Sequence, residues 1–94
     1  MTYKYDALYL YLKGHSQAPT TLSFRAIERI IGRPLPPEAE TSAEWWTNEY
    51  SNGVQALAWL QAGYMAFPDF TTRTVRFDRR EYAHREGQKR PLSV

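Results

Sequence analysis

The sequence predicts one small α+β domain, and three observations carry that expectation. The chain has 94 residues, enough for a single core but not for two cores and a linker. Glycines at 14, 32 and 63 each follow an apolar stretch and divide the chain into short elements. The apolar spacing follows the helical period up to Gly63 and alternates afterwards, so helices precede a terminal pair of strands.

Asp6 is expected to cap the first helix, residues 6–13, with its carboxylate at the positive end of the dipole. Tyr5 and Leu10 would staple its start, Leu8, Tyr9 and Leu12 would form its buried face, and Gly14 would close it in the left-handed conformation. After a loop over 15–19, residues 20–24 are β-prone, with Leu22 directed inward. Ser23 would end that strand and cap a second helix. Phe24, Ile27, Ile30 and Ile31 make the stripe of that helix, and Gly32 with Pro34 stops it. Pro37 suits a first helical position and, with Glu38 and Glu40, marks a short turn of helix.

Thr41 and Glu44 have the spacing of a capping box, which would place Trp45 and Trp46 on a helix; an extended segment fits them equally. Asn52 and Gln55 repeat that spacing ahead of residues 53–62. These are apolar nearly all round and so form the expected central buried helix. Residues 64–67 read as an edge strand that ends at Pro68. Residues 74–79 read as its partner, with Val75 and Phe77 inward and Arg76 and Asp78 outward. Helix, short strand, helix, helix and C-terminal β-hairpin is the order of a winged-helix-like domain. Residues 1–80 are the expected domain. Residues 81–94 are a basic C-terminal extension, partly disordered for want of apolar surface.

A second feature of the sequence is segregated charge. Residues 1–72 hold five cations and seven acids, net −2. Residues 73–94 hold seven cations and three acids, net +4, within a total of +2. A basic end suits phosphate backbones, where neutralisation releases counterions, although the same residues also serve simply to solubilise a chain.

The residues Lys4-Tyr5-Asp6 with Leu8 and Leu12, Leu22-Ser23-Phe24 with Ile27, Glu28, Ile31 and Gly32, and Leu35-Pro36 with Ala39 belong to a wider pattern. It continues through Trp45-Trp46 with Asn48, and Gln55-Ala56 with Ala58-Trp59-Leu60 and Ala62-Gly63. On these residues the chain resembles a family of small bacterial and phage-associated domains over about residues 4–79. The resemblance implies a shared fold and surface, not a reaction. The chain departs from the family at Ala7, where Pro is frequent, and at Tyr64, where Trp is common.

Several chemistries find no support in the sequence. With no cysteine there is neither a disulfide framework nor a thiolate site. Neither His15 nor His84 has an acidic or His neighbour three or four residues on that makes a ligand pair, although Glu81 stands three residues before His84, and a site would need further scattered carboxylates, so no metal is expected. No Gly-rich phosphate loop and no Gly-x-Ser-x-Gly elbow occurs. The expectation is therefore a binding protein with no catalytic residues and no cofactor. No apolar run approaches the roughly 20 residues of a membrane span, and the start of the chain lacks a signal-peptide run, so a cytoplasmic home is expected.

Two binding readings follow. In the first, the helix after Asn52 approaches double-stranded DNA by its N-terminal end. Trp46, Asn48, Tyr50, Ser51, Asn52 and Gln55 lie at that end, while Arg73, Arg76, Arg79 and Arg80 contact phosphates. In the second, the aromatic surface and acidic middle receive a host or phage protein, in an accessory or inhibitory role; tyrosine and tryptophan are frequent interface anchors. Glu44 and Glu49 beside the cluster weigh against DNA, while the +4 end puts DNA first. A homodimer through the aromatic surface is a third option.

Overall fold

The structure, a computed structural model, describes residues 4–15 and 19–79. Arg80, the extension 81–94 and His84 lie outside the described residues. The elements are α1 (Asp6–Lys13), β1 (Thr20–Ser23), α2 (Phe24–Ile31), three 3₁₀ turns (Pro37–Glu40, Ala43–Trp46 and Tyr50–Asn52), α3 (Val54–Leu60), β2 (Tyr64–Asp69) and β3 (Thr74–Arg79). The fold is α+β, with β2 and β3 as the C-terminal hairpin. The antiparallel sheet has the order β1-β3-β2, so the last strand lies in the middle.

The register fixes which face each strand residue serves. Leu22 opposes Val75 and Ala66 opposes Phe77, and all four are buried on the helical side. On the same pleat logic Thr21, Arg76 and Phe67 share the opposite, outer face. α2 packs beside β1 and α3 beside β2, while α1 touches both helices and closes the layer. Leu8, Leu12, Phe24, Ile27, Trp59 and Phe77 fill the space between, each at most 1% exposed.

Ser23 caps α2 as its position predicts. Its Oγ accepts the Ala26 amide at 3.0 Å, and Gly32 closes the helix at φ +76°. That left-handed value costs a residue with a Cβ roughly 1 kcal/mol, so Gly is the natural stop.

Four local expectations need correction. Asp6 is the first helical residue; Tyr5 occupies the cap position, with no side-chain cap bond. Leu10 does not staple Tyr5, because it sits about 200° around the helix from Leu8 and is 64% exposed. Gly14 is right-handed at φ −78°. The capping oxygen before Trp45 belongs to Ser42, whose Oγ accepts the Glu44 amide at 3.2 Å, while the Thr41 hydroxyl turns back to the Pro37 carbonyl.

The start of α3 departs most from expectation. Gly53, not Asn52, takes the cap position, at φ +145°. A Cβ there would lie 2.7 Å from Gln55 Oε1, the movable end of a flexible side chain, so it is the positive φ rather than this contact that favours glycine. Asn52 ends the third 3₁₀ turn instead. α3 stops at Leu60, and it is not buried all round: Val54 is 46% exposed.

Candidate binding surface

Three tryptophans organise the centre of the molecule. Trp46 lies between the parallel ring of Phe24, 6.0 Å away, and that of Trp59, 5.4 Å away. Its indole N–H donates to the Ala39 carbonyl at 2.7 Å, which satisfies the only polar atom of a side chain that is 1% exposed. Adjacent residues cannot share one direction, so Trp45 is the half-buried member of the pair, set edge-on to Trp46 and to Tyr5. Trp46, named from sequence as a contact residue, is therefore core.

The amide side chains near Trp46 hold the fold together. Asn48 Nδ2 donates to the Ala66 carbonyl at 2.9 Å, and Asn48 Oδ1 accepts both the Ala66 amide at 2.7 Å and Trp59 Nε1 at 2.8 Å. Those Ala66 groups point away from β3, so one side chain stands in for a neighbouring strand on the free edge of β2. Pro68, two residues on, has no N–H to offer a further strand. Asn52 Nδ2 donates to the carbonyls of Trp45 and Thr47, both at 3.1 Å, and Gln55 Nε2 reaches the Trp45 carbonyl at 3.4 Å. Tyr50 and Ser51 are exposed.

The hairpin arginines divide into separate settings. Arg73, in the turn at φ +58°, pairs with Glu40, which also binds Arg25; Arg25 in turn pairs with Glu28. Glu28 accepts the Leu35 amide at 2.8 Å, and that bond, reinforced by Arg25, holds its carboxyl below the ordinary value of 4.5. Arg76, on the outer sheet face, pairs with Asp78 and lies 4.6 Å over the Phe67 ring. Arg79 is partly buried at the end of β3, opposite Tyr64. The structure thus brings carboxylates to Arg73 and Arg76.

An open apolar groove among the described residues was not legible as a site in the sequence. A groove of about 610 Å³ runs between α1 and α3. One wall carries Tyr5, Asp6, Tyr9 and Leu10, and the other Val54, Leu57, Ala58 and Gln61. Both sets follow helical spacing, which aligns each along one face. Leu10 and Val54 are two of the large apolar side chains left exposed. Asp6 is the one charged group among these lining residues. Burial raises the Tyr5 phenol above its ordinary pKa; nearby Arg33 opposes the shift and Glu38 adds to it. The sequence did hold a signal: Leu10 falls off the face of Leu8 and Leu12, and the helix after Gly53 has apolar residues on more sides than one core can cover.

Among the described residues no cluster of three or more His, Asp or Glu side chains is placed to hold a metal ion. No described helix is long and apolar enough to cross a membrane. A family model described as a domain of unknown function (DUF7662) matches residues 5–81, and the chain belongs to that family. No curated protein and no solved structure matches the chain.

Proposed function

We propose that this domain is a protein-interaction module whose α1–α3 groove receives an amphipathic helix of another protein, a host or phage component that it recruits or inhibits. The observation that carries this reading is the exposure of Leu10, at 64%, and Val54, at 46%, along one continuous apolar groove. Exposed apolar surface collected in a concave strip gains free energy when a partner covers it, and a helix fits a groove walled by two helices. Asp6 is the sole charged lining group, so a complementary helix presents a cation beside its apolar stripe.

The other reading, a DNA-binding module of winged-helix type, draws on the net +4 of residues 73–94. In that arrangement α3 would be the recognition helix. Yet the Gln55 amide is turned back to the Trp45 carbonyl, and the open side of α3 presents Val54 and Leu57. Base edges require donors and acceptors at that place.

Capture from a nuclease-treated host lysate separates the two. A specific partner retained by wild type and by Arg76→Ala, but lost from Leu10→Asp and Val54→Asp, supports the groove. Both groove positions are exposed, so their acidic variants should keep the fold. Binding that vanishes with nuclease, ignores Leu10→Asp, and reappears as duplex-DNA affinity falling steeply with salt establishes the DNA reading instead.

A further inference from the structure

We infer that a second copy of this chain enters the α1–α3 groove, so that two molecules pair across a twofold axis with their α1 helices antiparallel. The inference rests on the reading of the groove as a helix-docking surface, because it names one helix that the same groove accepts.

α1 itself has the character of a docking helix. Leu8 and Leu12 face the core. Asp6, Tyr9, Leu10 and Lys13 follow at the spacing i, i+3, i+4, i+7, which gathers them within about 100° of arc on another side of the helix. Leu10, at 64%, is the most exposed large apolar side chain among the described residues. Lys13 Nζ lies 5.4 Å from the centre of the Tyr9 ring and donates to Tyr9 Oη at 3.1 Å. Tyr9 lines the groove, so this contact holds the cation on the groove side of α1. An exposed leucine beside a cation suits a groove walled by Leu10, Val54 and Leu57, with Asp6 as its charged lining group.

The charges also select the orientation. Asp6 and Lys13 stand seven residues apart, about 10 Å along the axis, with Tyr9 and Leu10 midway. Antiparallel helices that meet at Tyr9 and Leu10 set Asp6 of each copy beside Lys13 of the other, twice by symmetry. Parallel helices would set Asp6 against Asp6 and Lys13 against Lys13. The helix dipoles favour the same antiparallel choice. Leu10 of each copy then enters the strip between Leu10 and Val54 of the other, and each α3 flanks the pair. Eight residues line the groove, against roughly 20–30 on each side of a standard interface. The dimer is accordingly weak, forms at high concentration, and yields the groove to a better-matched helix.

Sedimentation of the full chain from about 10 µM to about 1 mM should show an average mass that rises towards the dimer. Over that range the amide resonances of Leu10, Val54, Leu57 and Gln61 should shift, while those of Thr21 and Phe67 on the outer sheet face should not. Asp6→Lys and Lys13→Asp should each weaken self-association by about tenfold, because one substitution turns two attractions into repulsions. An equimolar mixture of the two variants should restore it, since each copy then supplies the charge the other lacks. Rescue between copies cannot come from a change in folding. Isotope-labelled and unlabelled wild-type chains, mixed, give a readout without variants: nuclear Overhauser contacts from the Leu10 methyls of one copy to the Tyr9 ring and Val54 methyls of the other. A chain that stays monomeric at about 1 mM, shifts that fall on the outer sheet face, or two folded variants that fail to rescue each other overturn the twofold pair. Partner capture that remains sensitive to Leu10→Asp in that event leaves the proposed function standing. A dimer with these properties, beside lysate capture that ignores Leu10→Asp, removes the foreign partner and keeps the pair, so the two failures are distinct.

Discussion

Replacement of Asn48 by alanine should be among the most damaging single changes on the partly exposed surface of this domain. The side chain makes three hydrogen bonds, two to Ala66 backbone groups and one from Trp59 Nε1. Ala66 is 2% exposed and Trp59 is fully buried, so their polar groups have little other recourse. At about 1 kcal/mol for each bond the loss is about 3 kcal/mol, with more to come if water cannot enter the vacated space. That is a large share of the roughly 5–15 kcal/mol that stabilises an ordinary domain. It corresponds to a fall in Tm of about 12–24 °C for a domain of this size. Urea unfolding followed by tryptophan fluorescence should show the lower midpoint with the slope m unchanged. The variant should also aggregate more readily, since the free edge of β2 loses its cover. Asn48→Asp supplies a control. It keeps an acceptor for Trp59 but faces the Ala66 carbonyl with another acceptor, so it should be as unstable at neutral pH. It should recover as acid restores a proton that the side chain can donate. An Asn48→Ala loss below about 1 kcal/mol would refute the assignment of Asn48 as the link between β2, α3 and the Trp45-Trp46 segment.

Two further expectations concern the core and the acid limb. Trp46→Phe retains a ring between Phe24 and Trp59 but deprives the Ala39 carbonyl of its donor. It should cost about 2 kcal/mol from the lost bond and the unfilled volume together, read by thermal unfolding; no measurable change would show that water or backbone adjustment replaces the indole N–H. Glu28 titrates below its ordinary value of 4.5 in the folded chain, chiefly through the Leu35 amide and then Arg25. Its carboxylate therefore adds stability that is present above 4.5 and is lost as pH falls through the folded value. Glu28→Gln should flatten the decline in stability on the acid side of pH 4.5, and parallel wild-type and variant curves would count against the bond.

Much of the fold was legible because its signals are local. Ser23 caps α2 and Gly32 ends it because a hydroxyl beside free amides and a residue without a Cβ act through their immediate neighbours. The alternation of Val75 and Phe77 with Arg76 and Asp78 gave the face of β3 without knowledge of its partners. The start of α3 was misread for a related reason. Asn52 has the spacing of a cap, but its amide finds the Trp45 and Thr47 carbonyls, seven and five residues back, and that choice depends on how the 3₁₀ turns fold over the tryptophans.

The binding surface followed a different rule. The amides from Asn48 to Gln55 looked available in sequence because their acceptors lie elsewhere in the chain; Ala66 is 18 residues from Asn48. Arg73 looked free for phosphate until the fold placed Glu40, 33 residues away, against it. The sequence by itself determined the α+β class, the order of elements and the inward faces of β1 and β3, because periodicity and capping are properties of neighbours. Tertiary structure alone decided which polar groups are already satisfied and where apolar surface is left over at the α1–α3 groove. Burial and pairing depend on what the rest of the chain brings to a residue, and no local pattern carries that.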